Sequence, residues 1–273
     1  MNNGALPYTR KDLKRTAREM LAKKAVVFKL IFAVFICVVI RMGMELAASV
    51  VYMALYSVIP GAELVIAFAL PPTFRIMTVF VMAPAVFGTY RLASMLAQGM
   101  PADMSEMFYY FYPKKYARAL GGYIAAAWPI EIFVILFDAL LTWVSILLYG
   151  MSANELLIVQ IGMTVFVFAA AIPLLVPYFR LFSIPAAIVN GEGQPLGVCI
   201  RAAKRATRKR VREIFAFFFS FVPMILLSLL TVGMLLIAFT LPYMLLSYFY
   251  YNAVLFGKDP MPEIYEEVTF DER

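Results

Sequence analysis

The stretch IFAFFFSFVPMILLSLLTVGMLLIAFTLPYMLLSYFYYNAVLF, from Ile214 to Phe256, runs 43 residues without a Lys, Arg, Asp or Glu. A helix needs about 20 apolar residues to cross a hydrocarbon core of about 30 Å. The stretch is therefore too long for one upright crossing and right for two short ones, a single tilted helix being the alternative. Thr231-Val232-Gly233 is the expected turn, since glycine reaches the backbone conformations that a tight turn needs.

Working outward, the rest of the chain has the same character. Of its 273 residues 63% are hydrophobic and 15% charged, with a mean hydropathy of +0.83, whereas a soluble domain is closer to half apolar. In lipid every backbone amide must be satisfied internally, which leaves helices or closed barrels. The apolar runs are too long and alternate too little for barrel strands. The expected fold is an all-α polytopic transmembrane bundle of about six spans. The first four run from about Val26 to Tyr56, Thr73 to Gln98, Tyr116 to Tyr149 and Glu155 to Val189. Ile59-Pro60-Gly61 ends the first, and Ala62–Pro72 is expected as an apolar outer loop or shallow re-entrant piece. The first apolar run starts about two dozen residues in and offers no convincing cleavage site, so it is expected to be a retained span.

The chain divides into an interfacial amphipathic helix (1–24), a membrane domain (25–257) and an acidic tail (258–273). Thr9 and Asp12 have capping-box spacing. They lead into a helix with Leu13, Ala17, Met20 and Leu21 on one face and Arg10, Lys14, Arg15 and Arg18 on the other, lying in the interface or solvated. The net charge of +7 sits in blocks beside apolar runs: Arg10–Lys24, Lys114–Arg118 and Arg201–Arg212. The proposed outer segments 57–72, 150–154 and 231–233 hold no Lys or Arg. The positive-inside rule then puts both termini in the cytoplasm. Nucleic acid is not an expected partner.

Two stretches match at an offset of 89 residues. Pro84 is followed by Tyr90-Arg91-Leu92-Ala-Ser94 and then Gly99-Met-Pro101. Pro173 is followed by Phe179-Arg180-Leu181-Phe-Ser183 and then Gly193-Gln-Pro195. Spans two and three would correspond to spans four and five, a parallel repeat about an axis along the membrane normal.

Arg10-Lys-Asp-Leu13-Lys14…Ala17-Arg18, Gly88–Arg91, Met107-Phe108, Tyr112, Ile200…Ala206 and the run through Phe215, Ser220-Phe221, Thr231-Val-Gly233, Leu241-Pro242-Tyr243 and Phe249-Tyr250 resemble a bacterial membrane family, domain of unknown function nine-seventy-five. The likeness covers nearly the whole chain. Phe221-Val-Pro223 departs from the family pattern, which puts the local helix geometry in question. The resemblance implies a multi-span fold and the bacterial plasma membrane, and supplies no reaction or catalytic residue. Similar membrane regions attached to glycerophosphodiester phosphodiesterases hint at lipids.

Charges inside spans are costly and generally face the bundle interior. Arg41 and Glu45 are one helical turn apart and able to pair. Glu131 and Asp138 share a helix face. Arg41 is expected to pair with Glu131 at one depth, and Arg75 to lie near Asp138, as an ion-pair network or a polar cavity. Arg91 and Arg180, at matched repeat positions with few carboxylates at their depth, are the candidate anion or lipid site, snorkelling of both to the inner headgroups being the alternative. Arg201, Lys204, Arg205, Arg208 and Arg212 form a basic stripe suited to an anionic leaflet. With no histidine, two distant cysteines (Cys37 and Cys199), no nucleophile–base pair and no phosphate loop, no enzyme activity, catalytic residue, metal or cofactor is expected. The favoured reading is a non-enzymatic protein that binds or moves an anionic amphiphile such as a phospholipid, with membrane lipids, anionic ones above all, as partners. The alternative is a scaffold or assembly partner for another membrane protein.

Overall fold

The structure is a computed structural model describing residues 8–59, 61–147, 176–231 and 233–257, together with 159, 161–162, 165–166, 169 and 173–174. Its regular elements are α1 (Arg10–Leu21), α2 (Lys24–Val58), α3 (Glu63–Ala97), a 3₁₀ helix (Met104–Phe111), α4 (Pro113–Leu147), α5 (Ile184–Asn190), α6 (Leu196–Thr207), α7 (Val211–Phe219), α8 (Val222–Leu230), a π turn (Leu236–Thr240) and α9 (Leu241–Leu255). No strand occurs among the described residues. Among the described residues four helical stretches are long and apolar enough to cross a bilayer: Lys24–Val58, Val65–Ala97, Pro113–Thr142 and Val211–Leu230, the last formed by α7 and α8 together. The chain is accordingly a helical, multi-pass membrane protein. Large apolar side chains project outward along these helices, Phe28 and Met53 each 72% exposed and Leu136 65% exposed. Lipid accepts such a surface, whereas water does not. The fourth expected span, 155–189, and the acidic tail lie largely outside the described residues.

The expected outer loop at 62–72 is instead the first part of α3, with Pro71 and Pro72 inside the helix. Proline breaks helices less readily in a membrane, where neighbouring groups and local adjustments satisfy the carbonyls it frees. α4 begins on Pro113, whose missing N–H would be unpaired at a first helical position anyway. α2, α3 and α4 each run 35 residues, about 52 Å at 1.5 Å per residue. They exceed the hydrocarbon thickness, and their ends stand in the headgroup layers unless they tilt.

Between Ile214 and Phe256 the chain breaks twice. α7 stops at Phe219 and α8 starts at Val222 with Pro223 in its first turn, at the place where the sequence departs from the family pattern. The chain then reverses at the expected turn, where Gly233 has φ +79°. Ser228 and Thr240 hydroxyls, 2.8 Å apart, hydrogen-bond across the hairpin.

The basic segments gather at one end of the bundle. Lys29 Nζ, near the start of α2, donates to the Ala102 carbonyl after α3. Tyr250 Oη, near the end of α9, donates to the Ala97 carbonyl. α1 packs its apolar face (Leu13, Ala17, Met20, Leu21) on α9, so protein rather than lipid or water covers that face. Its start carries the full capping box, Asp12 N–H donating to Thr9 Oγ1 and Thr9 N–H to Asp12 Oδ2. Those hydrogen bonds, from the Thr9 side chain first and its backbone second, hold the Asp12 carboxyl below its usual range. Lys14 Nζ donates to the Ser220 carbonyl and hydroxyl at 3.3 and 2.6 Å and lies 3.7 Å over the Phe221 ring. It thereby caps the break between α7 and α8, where the dipole of α7 favours a cation. Burial, then the charge of Arg10, lowers the Lys14 pKa.

Gly88 sets the closest approach in this end of the bundle. A Cβ built there would stand 1.7 Å from the Met107 carbonyl oxygen, so α3 and the 3₁₀ helix can touch only with glycine at 88. Gly88→Ala should destabilise the detergent-solubilised protein by about 2 kcal/mol, the middle of the range for overpacking a tight site. Gly43→Ala, with no atom within 4 Å of the new methyl, should be neutral or slightly stabilising. Thermal unfolding of both variants checks the contrast.

Candidate functional site: an apolar cavity and its charged surroundings

A cavity of about 670 Å³, open at its side, lies among the helices. α2 lines it with Val34, Cys37, Val38, Arg41 and Met42, which fall on one face at helical spacing. α9 does the same with Leu241, Met244, Leu245 and Tyr248. α3, α4, α7 and residues 178–185 complete the walls. The lining is mostly aliphatic and aromatic, and among the described residues Arg41 is its one charged member. A few hydroxyls and a thiol supply the remaining polarity: Cys37 Sγ lies 3.3 Å from Thr89 Oγ1. Tyr90, 2% exposed, has a hydroxyl with no hydrogen-bond partner among the described residues. An apolar pocket of this size with few polar groups is the usual form of a small-molecule site.

One helical turn further along α2, a smaller cavity of about 320 Å³ is lined by Glu45, Ser49, Thr78, Arg75 and Asp138 among others. Here the charges of the spans meet. Arg41 Nη2 pairs with Glu45 Oε1 at 2.7 Å. Arg75 lies between Glu131 (3.6 Å) and Asp138 (3.3 Å). Tyr123 Oη donates to Glu131 Oε1 at 3.5 Å. The expected Arg41–Glu131 pair is not formed: Glu45 is nearer on the same helix, and Arg75 reaches across from α3 to Glu131. Arg75 joins both acids because they are seven residues, two turns, apart on one face of α4.

Arg91 is also differently placed from expectation. It donates from Nε to Glu106 Oε2 and from Nη1 to Glu192 Oε2, both at 2.8 Å, and its guanidinium stacks 3.7 Å over Tyr109. Lys115 Nζ adds a 3.0 Å contact to Glu192 and lies 3.2 Å over the same ring. Both carboxylates lie outside the spans, Glu106 on the 3₁₀ helix and Glu192 on the turn after α5. Each folds back on the end of α3. Arg180 is exposed, with no ion pair among the described residues, whereas Arg91 is held by two carboxylates. Successive helix residues point about 100° apart. Tyr90 takes the inward direction and Arg91 the outward one.

Arg201, Lys204 and Arg205 are exposed on α6, opposite buried Cys199, Ala203 and Thr207. Arg208 caps that helix and Arg212 begins the exposed side of α7, so the stripe bends between two helices. Among the described residues no cluster of three His, Cys, Asp or Glu is placed to hold a metal.

The residues around the large cavity include a signal the two-copy repeat overlooked. Pro242, Tyr248, Asn252 and Gly257 have the same spacing as Pro84, Tyr90, Ser94 and Gly99. Gly99, Gly193 and Gly257 all have positive φ, at +72°, +90° and +72°. The proline–aromatic–polar spacing thus occurs three times, with Phe249 where the other copies have arginine, although the glycine of the second copy, Gly193, lies five residues later than in the other two. Tyr90 and Tyr248 meet edge to face at 5.3 Å, and Phe182 meets Tyr248 at 4.4 Å. Two of the repeat's aromatic residues, Tyr90 and Tyr248, line the cavity, and neither Arg91 nor Arg180 does. Comparison with family models, curated proteins and solved structures gave no match.

Removing Arg75 leaves Glu131 and Asp138 facing each other without a cation. Arg75→Gln should cost about 3 kcal/mol, the low end for breaking a buried pair because these side chains are partly exposed. The triple variant Arg75→Gln, Glu131→Gln, Asp138→Asn should recover most of it. Arg41→Gln, removing a more exposed pair, should cost under about 1 kcal/mol. Thermal stability in nanodiscs distinguishes these effects, and additive losses in the triple variant contradict the network.

Proposed function

We propose that this protein is a six-span, non-enzymatic component of the bacterial plasma membrane, with both termini cytoplasmic, that binds or moves an anionic amphiphile such as a phospholipid. The observation that carries the reading is the 670 Å³ apolar cavity with Arg41 as its one charged lining residue among those described. An acyl chain gains from apolar walls, and an anionic head gains from a guanidinium at their edge. Glu45 engages one terminal nitrogen of Arg41, and a guanidinium has five N–H donors, so donors remain for a phosphate or carboxylate. This reading moves the head-binding role from Arg91 and Arg180 to Arg41. The gathering of the basic segments at one end of the bundle supports the orientation, and the resemblance in sequence supports membership of the family named above. The exposed stripe Arg201–Arg212 then lies against the anionic inner leaflet, where each charge contributes about 1 kcal/mol.

Native mass spectrometry with phosphatidylglycerol and a zwitterionic lipid tests the site. Ala126 lines the cavity, and Ala126→Trp should abolish a tight, stoichiometric binding event by filling it. Arg41→Gln should weaken anionic-lipid binding about tenfold, as loss of a charge-assisted contact does, and should leave the zwitterionic lipid unaffected. Unchanged binding in Ala126→Trp removes the amphiphile reading and favours a scaffold.

A further inference from the structure

We infer that the junction of α1, α7 and the end of α9 is a phosphate site, in which Arg210, Tyr251 and the first turn of α7 hold the phosphate group of a lipid headgroup or free inorganic phosphate. None of these residues lines either cavity, so the site stands apart from the amphiphile reading.

Tyr251 on α9 is fully buried, 0% exposed, and its ring stacks on Phe217 of α7 at 4.6 Å. Its hydroxyl has no hydrogen-bond partner among the described residues. The charges that act on that hydroxyl are Glu213 and Arg210 at the start of α7 and Arg10 at the start of α1. Arg210 Nη1 is a second buried polar atom without a partner. A guanidinium nitrogen can only donate, and the hydroxyl proton also needs an acceptor, so the two atoms lack the same thing. A buried donor left unmet is costly, more so when it is charged. Water can accept both hydrogen bonds but leaves the guanidinium charge uncompensated. A phosphate oxygen supplies the acceptor and the charge together.

The start of α7 favours an anion at the same place. α7 is nine residues long, and its cap, Arg210, makes no side-chain hydrogen bond to the first turn. The first N–H groups of a helix have no partner within it and carry the positive end of its dipole, an arrangement that takes phosphate. α1 differs, because Thr9 and Asp12 already fill its first turn. Glu213 opposes an anion, but it is exposed, and an exposed charge is screened far more than buried ones are. Arg10 brings a second cation from α1. Lys209 and Arg212 flank Arg210 in the sequence, so the local field attracts an anion from either source.

The test is a thermal-shift titration of the full chain in a detergent that carries no phosphate, with two probes in separate arms: inorganic phosphate, and phosphatidylglycerol in mixed micelles. Saturable stabilisation by inorganic phosphate marks the free anion as the ligand, and by the lipid alone marks the headgroup. In the arm that binds, Arg210→Gln should weaken the apparent affinity about tenfold, as loss of a charge-assisted hydrogen bond does. Tyr251→Phe should weaken it about fivefold, the size of one neutral hydrogen bond. Tyr251→Phe keeps the ring on Phe217, so it carries the test if Arg210→Gln fails to fold. Arg41→Gln should leave inorganic phosphate binding unchanged. No saturable stabilisation by either probe overturns the site, and so does an affinity that either folded variant leaves unchanged. The cavity reading depends on Ala126 and Arg41 and this site on Arg210 and Tyr251, so the two fail separately.

Discussion

Arg75 shared between Glu131 and Asp138, and Arg91 shared between Glu106 and Glu192, show how this bundle carries charge. A charge in hydrocarbon is costly unless another group compensates it within the protein. Each arginine is therefore held by two carboxylates from other elements or other turns, and these contacts tie α3 to α4, to the 3₁₀ helix and to the turn after α5. Because the charges neutralise one another in those places, the space between α2, α3, α4, α7 and α9 is left almost wholly apolar. The cavity and the charge network are two consequences of one constraint.

The same constraint explains what the sequence made legible. Runs such as Ile214–Phe256 have one stable form in lipid, so helices, turn and basic end follow from composition. The turn at Gly233 and the capping box at Thr9 were readable because each rests on local backbone chemistry. Residues 62–72 were expected as an apolar outer loop or shallow re-entrant piece, whereas α3 already starts at Glu63 and runs through Pro71 and Pro72. Partner choice was the least legible part. Arg41 could meet Glu45 or Glu131, and only the packing of α3 against α4 decides that Arg75 takes Glu131. Glu106 and Glu192 looked remote from Arg91 because the chain between them folds back, which no periodicity records.

The repeat was partly visible. Matched arginines drew attention to Arg91 and Arg180, yet the third copy replaces that position with Phe249 and keeps the proline, the aromatic and the turn glycine. What the three copies hold in common is an aromatic residue at or beside the cavity wall and a left-handed glycine near the end of the segment. The aromatics shape a space, and the arginines serve local ion pairing or exposure. In this account the cavity takes a chain and Arg41 takes a head.

The most direct measurement is an experimental structure of the protein in nanodiscs of phosphatidylglycerol. The account predicts elongated density filling the cavity between α2 and α9, with its polar end within hydrogen-bonding distance of the Arg41 guanidinium. A cavity collapsed by side-chain packing, or filled by ordered water with no density near Arg41, would contradict it.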